Sequence, residues 1–227
     1  MEHVQIRISV KGIWRNVAFL FFVGILFFAL ALFVVHTMTD PRVSDFFTFW
    51  LAGRLTLQGQ DVYSQSLWLA AHHDYGSTWM PNPIFPYPIP LALFLVPLGL
   101  FPLRSAFLIW TLTAEILSTV SAFLLTESLK DKAFLRIVLI FTIFLFRPVL
   151  VSLFSGQLAP FFFFILSIAV FLWEREKWFW GGIVISLLNL KPSYGALILI
   201  LAGVWLFSRR QWLALSSMAL AGCRREG

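Results

Sequence analysis

The stretch that decides the fold is Val17–Val35, which reads VAFLFFVGILFFALALFVV and holds no charged side chain. A helix needs about 20 such residues to cross the hydrocarbon core of a bilayer. Basic residues from Arg7 to Arg15 precede the run, as they would in a signal peptide. The run is long for a signal-peptide core, and no small-x-small cleavage site follows before His36. We therefore predict an uncleaved membrane anchor.

The composition extends this reading to the whole chain. Of the 227 residues, 59% are hydrophobic and 12% are charged, and 26 are Phe and 10 are Trp. A soluble domain carries far more charge. The single cysteine, Cys223, excludes an internal disulfide. The net charge of +6 does not indicate nucleic-acid binding, because the basic residues fall between apolar runs rather than on one soluble face.

A polar stretch at 36–90 separates the first run from the others. The apolar run at 91–101 is too short to span a bilayer and is interrupted by Pro97. We interpret it as a half-inserted or interfacial piece that leads into a spanning helix at 106–126.

Three later runs complete the predicted spans, at 134–154, 159–173 and 179–207. The last is long for one span and short for two. Two short helices that turn at Asn189–Gly195 are favoured, and one tilted, kinked helix is the alternative. The predicted fold is an all-α, polytopic transmembrane bundle of five or six spans.

The distribution of Lys and Arg predicts the orientation. With the N-terminus in the cytoplasm, twelve of the 17 basic residues fall on the inner side. The five on the outer side are Arg42, Arg54, Arg104, Arg147 and Lys191. We expect one membrane domain over 1–227 in the plasma membrane. Its parts are a cytoplasmic N-terminus (1–16), the first span (17–35), an extracytoplasmic loop (36–90), the remaining spans (91–207) and a truncated C-terminal end (208–227).

The outer loop holds a predicted helix of its own. Apolar positions recur there at steps of three and four residues, at Phe46, Phe49, Trp50, Gly53 and Leu57. This spacing indicates an amphipathic helix along the membrane surface. Ser44 is a suitable N-cap and Gly59 a suitable stop. Asp45 then lies in the first turn, where it either complements the helix dipole or serves the chemistry of a site.

Polar groups also interrupt the apolar runs at membrane depth. Arg147 precedes a proline, Gln157 follows Gly156 at the start of a span, and Lys191 breaks the last run. Buried cations are costly and tend to mark a site or an ion pair, although snorkelling to the headgroups is the alternative for both cations. Glu115 within a span is either a functional carboxylate or a hydrogen-bonded partner for another helix.

Two motifs in the outer loop have a weaker signal. Phe85–Pro88 reads FPYP, in which the prolines stop a helix and Tyr87 offers an aromatic surface for a sugar or a lipid. His72–Asp74 reads HHD, but no further Cys or His stands at ligand spacing, so we expect no metal site. No motif indicates a cofactor.

The order of these segments resembles a known family. The matching pieces are Ser44–Phe46, Ala52-Gly53, Gly59–Tyr63, Phe85–Pro88, Pro97-Leu98, Gly156-Gln157 and Gly181-Gly182 through Lys191-Pro192. Together they resemble glycosyltransferase family 87, the polyprenyl-phosphate-mannose-dependent mannosyltransferases of the GT-C class. The resemblance covers about residues 14–212. Family members usually run to about twice this length, so the chain is interpreted as the N-terminal half of such an enzyme.

The resemblance implies a reaction on the outer face of the membrane. The donor is a polyprenyl-phosphate-linked hexose such as mannose, and the acceptor is a hydroxyl of a lipid or glycan. Asp45 matches the family's acidic base in the first outer loop. Tyr87 and Gln157 match motif positions that line the sugar site. Charge and depth, rather than a family role, make Lys191 and Arg147 candidates for stabilising the leaving phosphate. Membrane lipids are the other expected partners, and nucleic acid is not one.

Two other functions fit parts of the pattern. Intramembrane Glu115, Arg147 and Lys191 beside broken helices also suit a small transporter or channel, although paired inverted halves are not evident. The short chain suits a non-catalytic membrane subunit.

Overall fold

A computed structural model describes residues 25, 28–37, 40–77, 82–129 and 132–222, and within them the regular elements are all helices. Short 3-10 turns cover Pro41–Val43, Glu127–Leu129 and Leu187–Leu190. The α-helices are α1 (Phe28–Thr37), α2 (Asp45–Leu57), α3 (Gln65–Asp74), α4 (Ile89–Gly99), α5 (Leu103–Leu125), α6 (Ala133–Leu145), α7 (Arg147–Ser155), α8 (Ala159–Glu174), α9 (Trp178–Ser186), α10 (Pro192–Ser208) and α11 (Trp212–Gly222).

The all-α prediction is confirmed for the described residues, and prolines set several helix boundaries. The predicted run at 134–154 consists of two helices, because Pro148 cannot continue a helix interior but suits the first turn of α7. The last run is also divided, by the Leu187–Leu190 turn and Lys191, before Pro192 opens α10. The prediction of two short helices there is confirmed.

The number of membrane crossings stays a prediction. Among the described helices, α5 is the one long and apolar enough to cross a bilayer by itself. Shorter apolar helices cover Phe28–Thr37, Ile89–Gly99, Ala159–Glu174, Trp178–Leu190 and Pro192–Ser208. Of the predicted first span at 17–35, the described part is largely the start of α1, and the remainder lies outside the described residues.

The surface of α10 suits contact with lipid. Five of its large apolar side chains are between 60% and 65% exposed: Leu197, Ile200, Leu201, Val204 and Phe207. An exposed apolar patch of this kind on a soluble monomer would be a liability for aggregation. On a helix that faces acyl chains it has no such cost.

The prediction of a surface-lying amphipathic α2 is wrong. The helix forms where the spacing predicts, and Gly59 follows its end with a left-handed φ of +70°. However, nine of its 13 residues are buried, including polar Thr48. Its apolar positions face α4 on one side and the rings of Phe107 and Trp110 in α5 on the other. The helix therefore lies inside the fold.

Glycines bring α2 and α4 into direct backbone contact. A Cβ on Gly53 would lie 2.2 Å from the carbonyl oxygen of Leu95, and a Cβ on Gly99 would lie 2.6 Å from the backbone nitrogen of Arg54. Arg54 Nη1 also donates a 2.8 Å hydrogen bond to the Gly99 carbonyl. These contacts give Gly53 of the Ala52-Gly53 motif a structural role, which is to allow close packing of α2 against α4.

A second close contact joins α9 to its neighbours. A Cβ on Gly181 would lie 2.2 Å from Trp173 Nε1 in α8, and one on Gly182 would lie 2.1 Å from Ser217 Oγ in α11. The Gly181-Gly182 pair thus lets α9 fit between two helices.

We predict that Gly53→Ala destabilises the fold, because the added methyl group meets backbone atoms that cannot rotate away. Overpacking of this kind costs about 1–3 kcal/mol or more. Gly203→Ala is the matched control, since its Cβ would meet only Met218 Cε at 3.5 Å. Thermal unfolding of the purified protein in detergent should show a lower Tm for Gly53→Ala and an unchanged or higher Tm for Gly203→Ala. Equal Tm values for the two variants would contradict the close α2–α4 contact.

Candidate functional site

A tight turn delivers Asp45 to the start of α2. The Pro41–Val43 turn is closed by a 2.6 Å hydrogen bond from Ser44 Oγ to the Pro41 carbonyl. Ser44 occupies the predicted N-cap position, but its hydroxyl bonds backwards rather than to the helix. Asp45 is the first residue of α2 and its side chain is half-buried.

The Asp45 carboxylate faces two groups from distant segments. It acts electrostatically on the phenol of Tyr87 and on the ammonium group of Lys191. Within the described part of the chain, no cationic group lies within 4.0 Å of it and no group donates a hydrogen bond to its side chain. With respect to the described residues, its oxygens can accept a proton or a hydrogen bond from a ligand.

Aromatic rings fix Tyr87 beside Asp45. Its ring centroid lies 5.5 Å from that of Phe49 in α2 and 5.2 Å from that of Phe85. The Tyr63 hydroxyl donates a hydrogen bond to the Tyr87 carbonyl. Burial, and then the neighbouring Asp45 carboxylate, raises the pKa of Tyr87 to about 12. The Tyr87 hydroxyl is therefore neutral at physiological pH and available as a hydrogen-bond donor.

Lys191 projects from the break between α9 and α10. Its Nζ lies 4.3 Å from the centroid of the Tyr194 ring and 5.5 Å from that of Tyr87. Both separations are within the range of cation–π attraction. A Cβ on Gly195 would lie 2.1 Å from the Leu188 carbonyl, so the first turn of α10 folds tightly against the preceding 3-10 turn. This packing holds the lysine stem at the break.

The Gly156-Gln157 turn is built onto the same helix as Asp45. Gly156 ends α7 with a left-handed φ of +64°, and a Cβ there would lie 2.5 Å from the Cβ of Phe46. Trp110 Nε1 donates a 3.0 Å hydrogen bond to the Gly156 carbonyl. Only glycine meets both requirements, and Gln157 is thereby held next to α2.

Gln157 and Lys191 share a cavity of about 240 Å³ between α8 and α10. Tyr194 is the third polar residue in its wall, and apolar side chains complete the lining. Leu166 and Ile198 border both this cavity and an apolar groove of about 820 Å³. The groove runs between the same two helices.

The apolar groove ends among tryptophans and charged groups. Trp173 and Trp178 lie 5.5 and 6.3 Å, centroid to centroid, from Trp205. Glu174 and Arg209 are among its lining residues. The two cavities together form an apolar path with Lys191 at one end and an aromatic, charged rim at the other.

Four of the predicted site residues converge, and the fifth does not. Asp45, Tyr87, Gln157 and Lys191 lie around the smaller cavity or act on a residue that lines it. Arg147 is exposed at the first position of α7. The nine residues of α7 place it about 13 Å along the helix axis from the Gly156 turn.

Two further candidates lie outside this cluster. Glu115 is fully buried in α5, and neither carboxylate oxygen has a hydrogen-bond partner among the described residues. The predicted hydrogen-bonded partnership with another helix is therefore not found within the described part of the chain. His72 is buried against the rings of Phe47 and Trp68, and its Nδ1 lies 2.8 Å from the Trp68 carbonyl. The described residues contain no group of three potential metal ligands.

Sequence reasoning missed Tyr194 and the supporting rings. Tyr194 follows Lys191 by three residues at the start of a helix, a spacing that brings side chains together and could have identified it. The contact of Phe49 with Tyr87 joins segments far apart in the chain, and no local pattern predicts it.

A family model for glycosyltransferase family 87 matches residues 85–223. The chain belongs to glycosyltransferase family 87. No curated protein and no solved structure matches it significantly. The family resemblance drawn from the motifs is thereby confirmed. The matched range includes Tyr87, Gln157 and Lys191, while Asp45 precedes it. Family membership, together with the apolar helix α5, indicates a membrane glycosyltransferase.

We predict that Tyr87 is the last tyrosine to ionise in the folded protein. Its raised pKa means that its contribution to stability is fully present below about pH 10 and is lost as the pH rises through about 12. At about pH 11 the Tyr87→Phe variant should have the same tyrosinate absorbance near 295 nm as the unchanged protein, because the phenol that it lacks is still neutral. After denaturation at the same pH, the variant should lose about a quarter of that absorbance, since Tyr87 is one of four tyrosines. A loss of this size in the folded state would contradict the assignment.

Proposed function

We propose that this family 87 glycosyltransferase transfers a hexose, mannose or a close relative, from a polyprenyl-phosphate donor to an acceptor hydroxyl. Asp45 is the general base. One observation carries the proposal: the half-buried Asp45 carboxylate, which has no ion-pair partner among the described residues, acts electrostatically on Lys191. Gln157 lies beside Lys191 in the cavity wall. A proton acceptor beside a cation is what this reaction requires.

The proposed step balances with the residues of this cluster. The acceptor oxygen attacks the anomeric carbon of the donor and forms the new glycosidic bond. The bond between that carbon and the phosphate oxygen breaks, and polyprenyl phosphate leaves with the electron pair. The proton of the acceptor hydroxyl passes to the Asp45 carboxylate. Lys191 compensates the charge that develops on the phosphate.

Neutral polar groups complete the proposed sugar site. The Tyr87 phenol is neutral at physiological pH and can donate a hydrogen bond to a sugar or phosphate oxygen. The Gln157 amide both donates and accepts, which suits a sugar hydroxyl. Tyr194 adds a second ring next to the lysine, 4.3 Å from its Nζ.

The apolar groove supports a lipid-linked donor over a soluble nucleotide sugar. Its volume of about 820 Å³ adjoins the cavity that Lys191 lines, and its wall is largely Leu, Ile, Val, Ala and Trp. A polyprenyl chain can occupy it while the phosphate stays near Lys191. The positive-inside count predicts that the Asp45 cluster faces the extracytoplasmic side of the plasma membrane.

Replacement of Asp45 tests the base assignment. Membranes that contain the chain are supplied with radiolabelled polyprenyl-phosphate mannose, and transfer to endogenous acceptors is measured. General-base catalysis contributes about 10²–10⁴-fold to a rate, so Asp45→Asn should lower transfer by that factor. Glu176→Gln is the control, an exposed carboxylate between α8 and α9, and should transfer normally. Transfer that survives Asp45→Asn contradicts the base role. Equal losses in both variants would show that the loss is not specific to Asp45, and would also contradict that role.

A second pair of variants tests which cation serves the phosphate. We expect Lys191→Gln to lower kcat by about 10²–10³-fold, the usual effect of removing one electrostatic stabiliser of a transition state. Arg147→Gln should leave kcat unchanged, because Arg147 is exposed and about 13 Å from the Gly156 turn along α7. A large loss in Arg147→Gln with little change in Lys191→Gln would reverse this assignment.

A further inference from the structure

A third cavity lies beside α2 and is lined by none of the residues proposed for catalysis. Its volume is about 570 Å³, within the range of small-molecule sites. The Pro41–Val43 turn, α2, the end of α3 and the start of α5 enclose it. The polar and aromatic residues that line it are Asp40, Arg42, Trp50, Asp74, Tyr75 and Arg104.

The Arg42 side chain is held in place at this cavity. Its Nε lies 3.3 Å from Asp40 Oδ1, and its carbonyl accepts a 2.9 Å hydrogen bond from Ser77 Oγ. Gly76 has a left-handed φ of +75°, and a Cβ there would lie 2.7 Å from Arg42 Nη1. The absence of a side chain at Gly76 thus makes room for the guanidinium group.

Two aromatic rings, together with Pro41, Pro102 and Leu103, form the apolar part of the wall. Trp50 and Tyr75 meet edge to face, with centroids 5.1 Å apart and an interplanar angle of 88°. Trp50 is fixed by a 3.0 Å hydrogen bond from its Nε1 to the Phe101 carbonyl. Tyr75 is half-buried, so part of its surface stays open to a ligand.

The charges of this cavity balance. Two arginines and two aspartates line it, so it carries no net charge while it offers both strong donors and strong acceptors. A phosphate or other anion would meet the two carboxylates as well as the guanidinium groups. A neutral, polyhydroxylated molecule can use all four groups, since each hydroxyl both donates and accepts. Aromatic surface beside such groups suits the apolar faces of a sugar ring.

We propose that this cavity binds a saccharide, the sugar portion of the acceptor. Arg42 precedes Asp45 by three residues, so their Cα atoms are at most about 11 Å apart. A saccharide anchored at Arg42 and Asp74 is therefore close to the carboxylate that removes the proton from its hydroxyl. The role as acceptor site rests on the proposed function, whereas saccharide binding does not.

Photo-crosslinking tests the binding. The purified full chain in nanodiscs is irradiated with a diazirine-bearing mannobioside, and crosslinked peptides are identified by mass spectrometry. We expect crosslinks in peptides that contain residues 40–42, 74–76 or 102–104, and we expect excess mannobiose to compete while inorganic phosphate does not. Asp74→Asn and Arg104→Gln should each reduce crosslinking at least five-fold. Their matched controls are Glu176→Gln and Lys132→Gln, which change exposed charges outside the cavity.

The possible results of this experiment distinguish failure of the saccharide site from failure of the proposed glycosyl transfer. Asp45→Asn should bind the mannobioside as the unchanged chain does, because Asp45 does not line the cavity. Crosslinking that persists while no lipid-linked hexose is transferred would overturn the proposed function and keep the saccharide site. Crosslinks that map elsewhere, that are equally reduced in the control variants, or that phosphate abolishes, would overturn the saccharide site whatever the transfer assay shows.

Discussion

The backbone contact between α2 and α4 is the constraint on which the rest of the described structure depends. Gly53 and Gly99 permit it, and the hydrogen bond from Arg54 to the Gly99 carbonyl fixes it. With α4 on one side, α2 is enclosed and its side chains can reach several segments at once. Phe46 contacts the Gly156 turn and Phe49 contacts Tyr87. The positions of Asp45, Tyr87 and Gln157 therefore depend on how α2 is packed.

The candidate site joins two different kinds of environment. Asp45 is half-buried beside groups that belong to loops and helix ends, whereas Lys191 also borders a long apolar groove. A carboxylate needs water or hydrogen-bond donors to stay ionised, and a lipid chain needs their absence. The helix break at Lys191 separates these two environments. The apolar groove lies on one side of it, and the polar groups around Asp45 lie on the other.

The sequence predicted helix positions well and their surroundings poorly. Hydrophobic runs and prolines are local signals, so the breaks before Pro148 and Pro192 could be located. The burial of α2 could not, because its three- and four-residue periodicity is the same for a helix on a membrane and a helix inside a bundle. Motif matching selected Asp45, Tyr87 and Gln157. Charge and apparent depth selected Lys191, which lies near them, and Arg147, which is exposed at the start of α7. The position of a residue within an apolar stretch of sequence does not determine the direction in which a short helix such as α7 points.

The hydrogen bond between Arg54 and Gly99 also has a consequence for biosynthesis. It joins residues 45 positions apart. At a synthesis rate of about 5–20 residues per second, α2 leaves the ribosome roughly 2–9 s before the end of α4 does. During that interval a helix made largely of apolar residues has no native partner for its glycine face. The order of translation therefore leaves α2 without this partner for several seconds, an interval that the finished fold does not reveal.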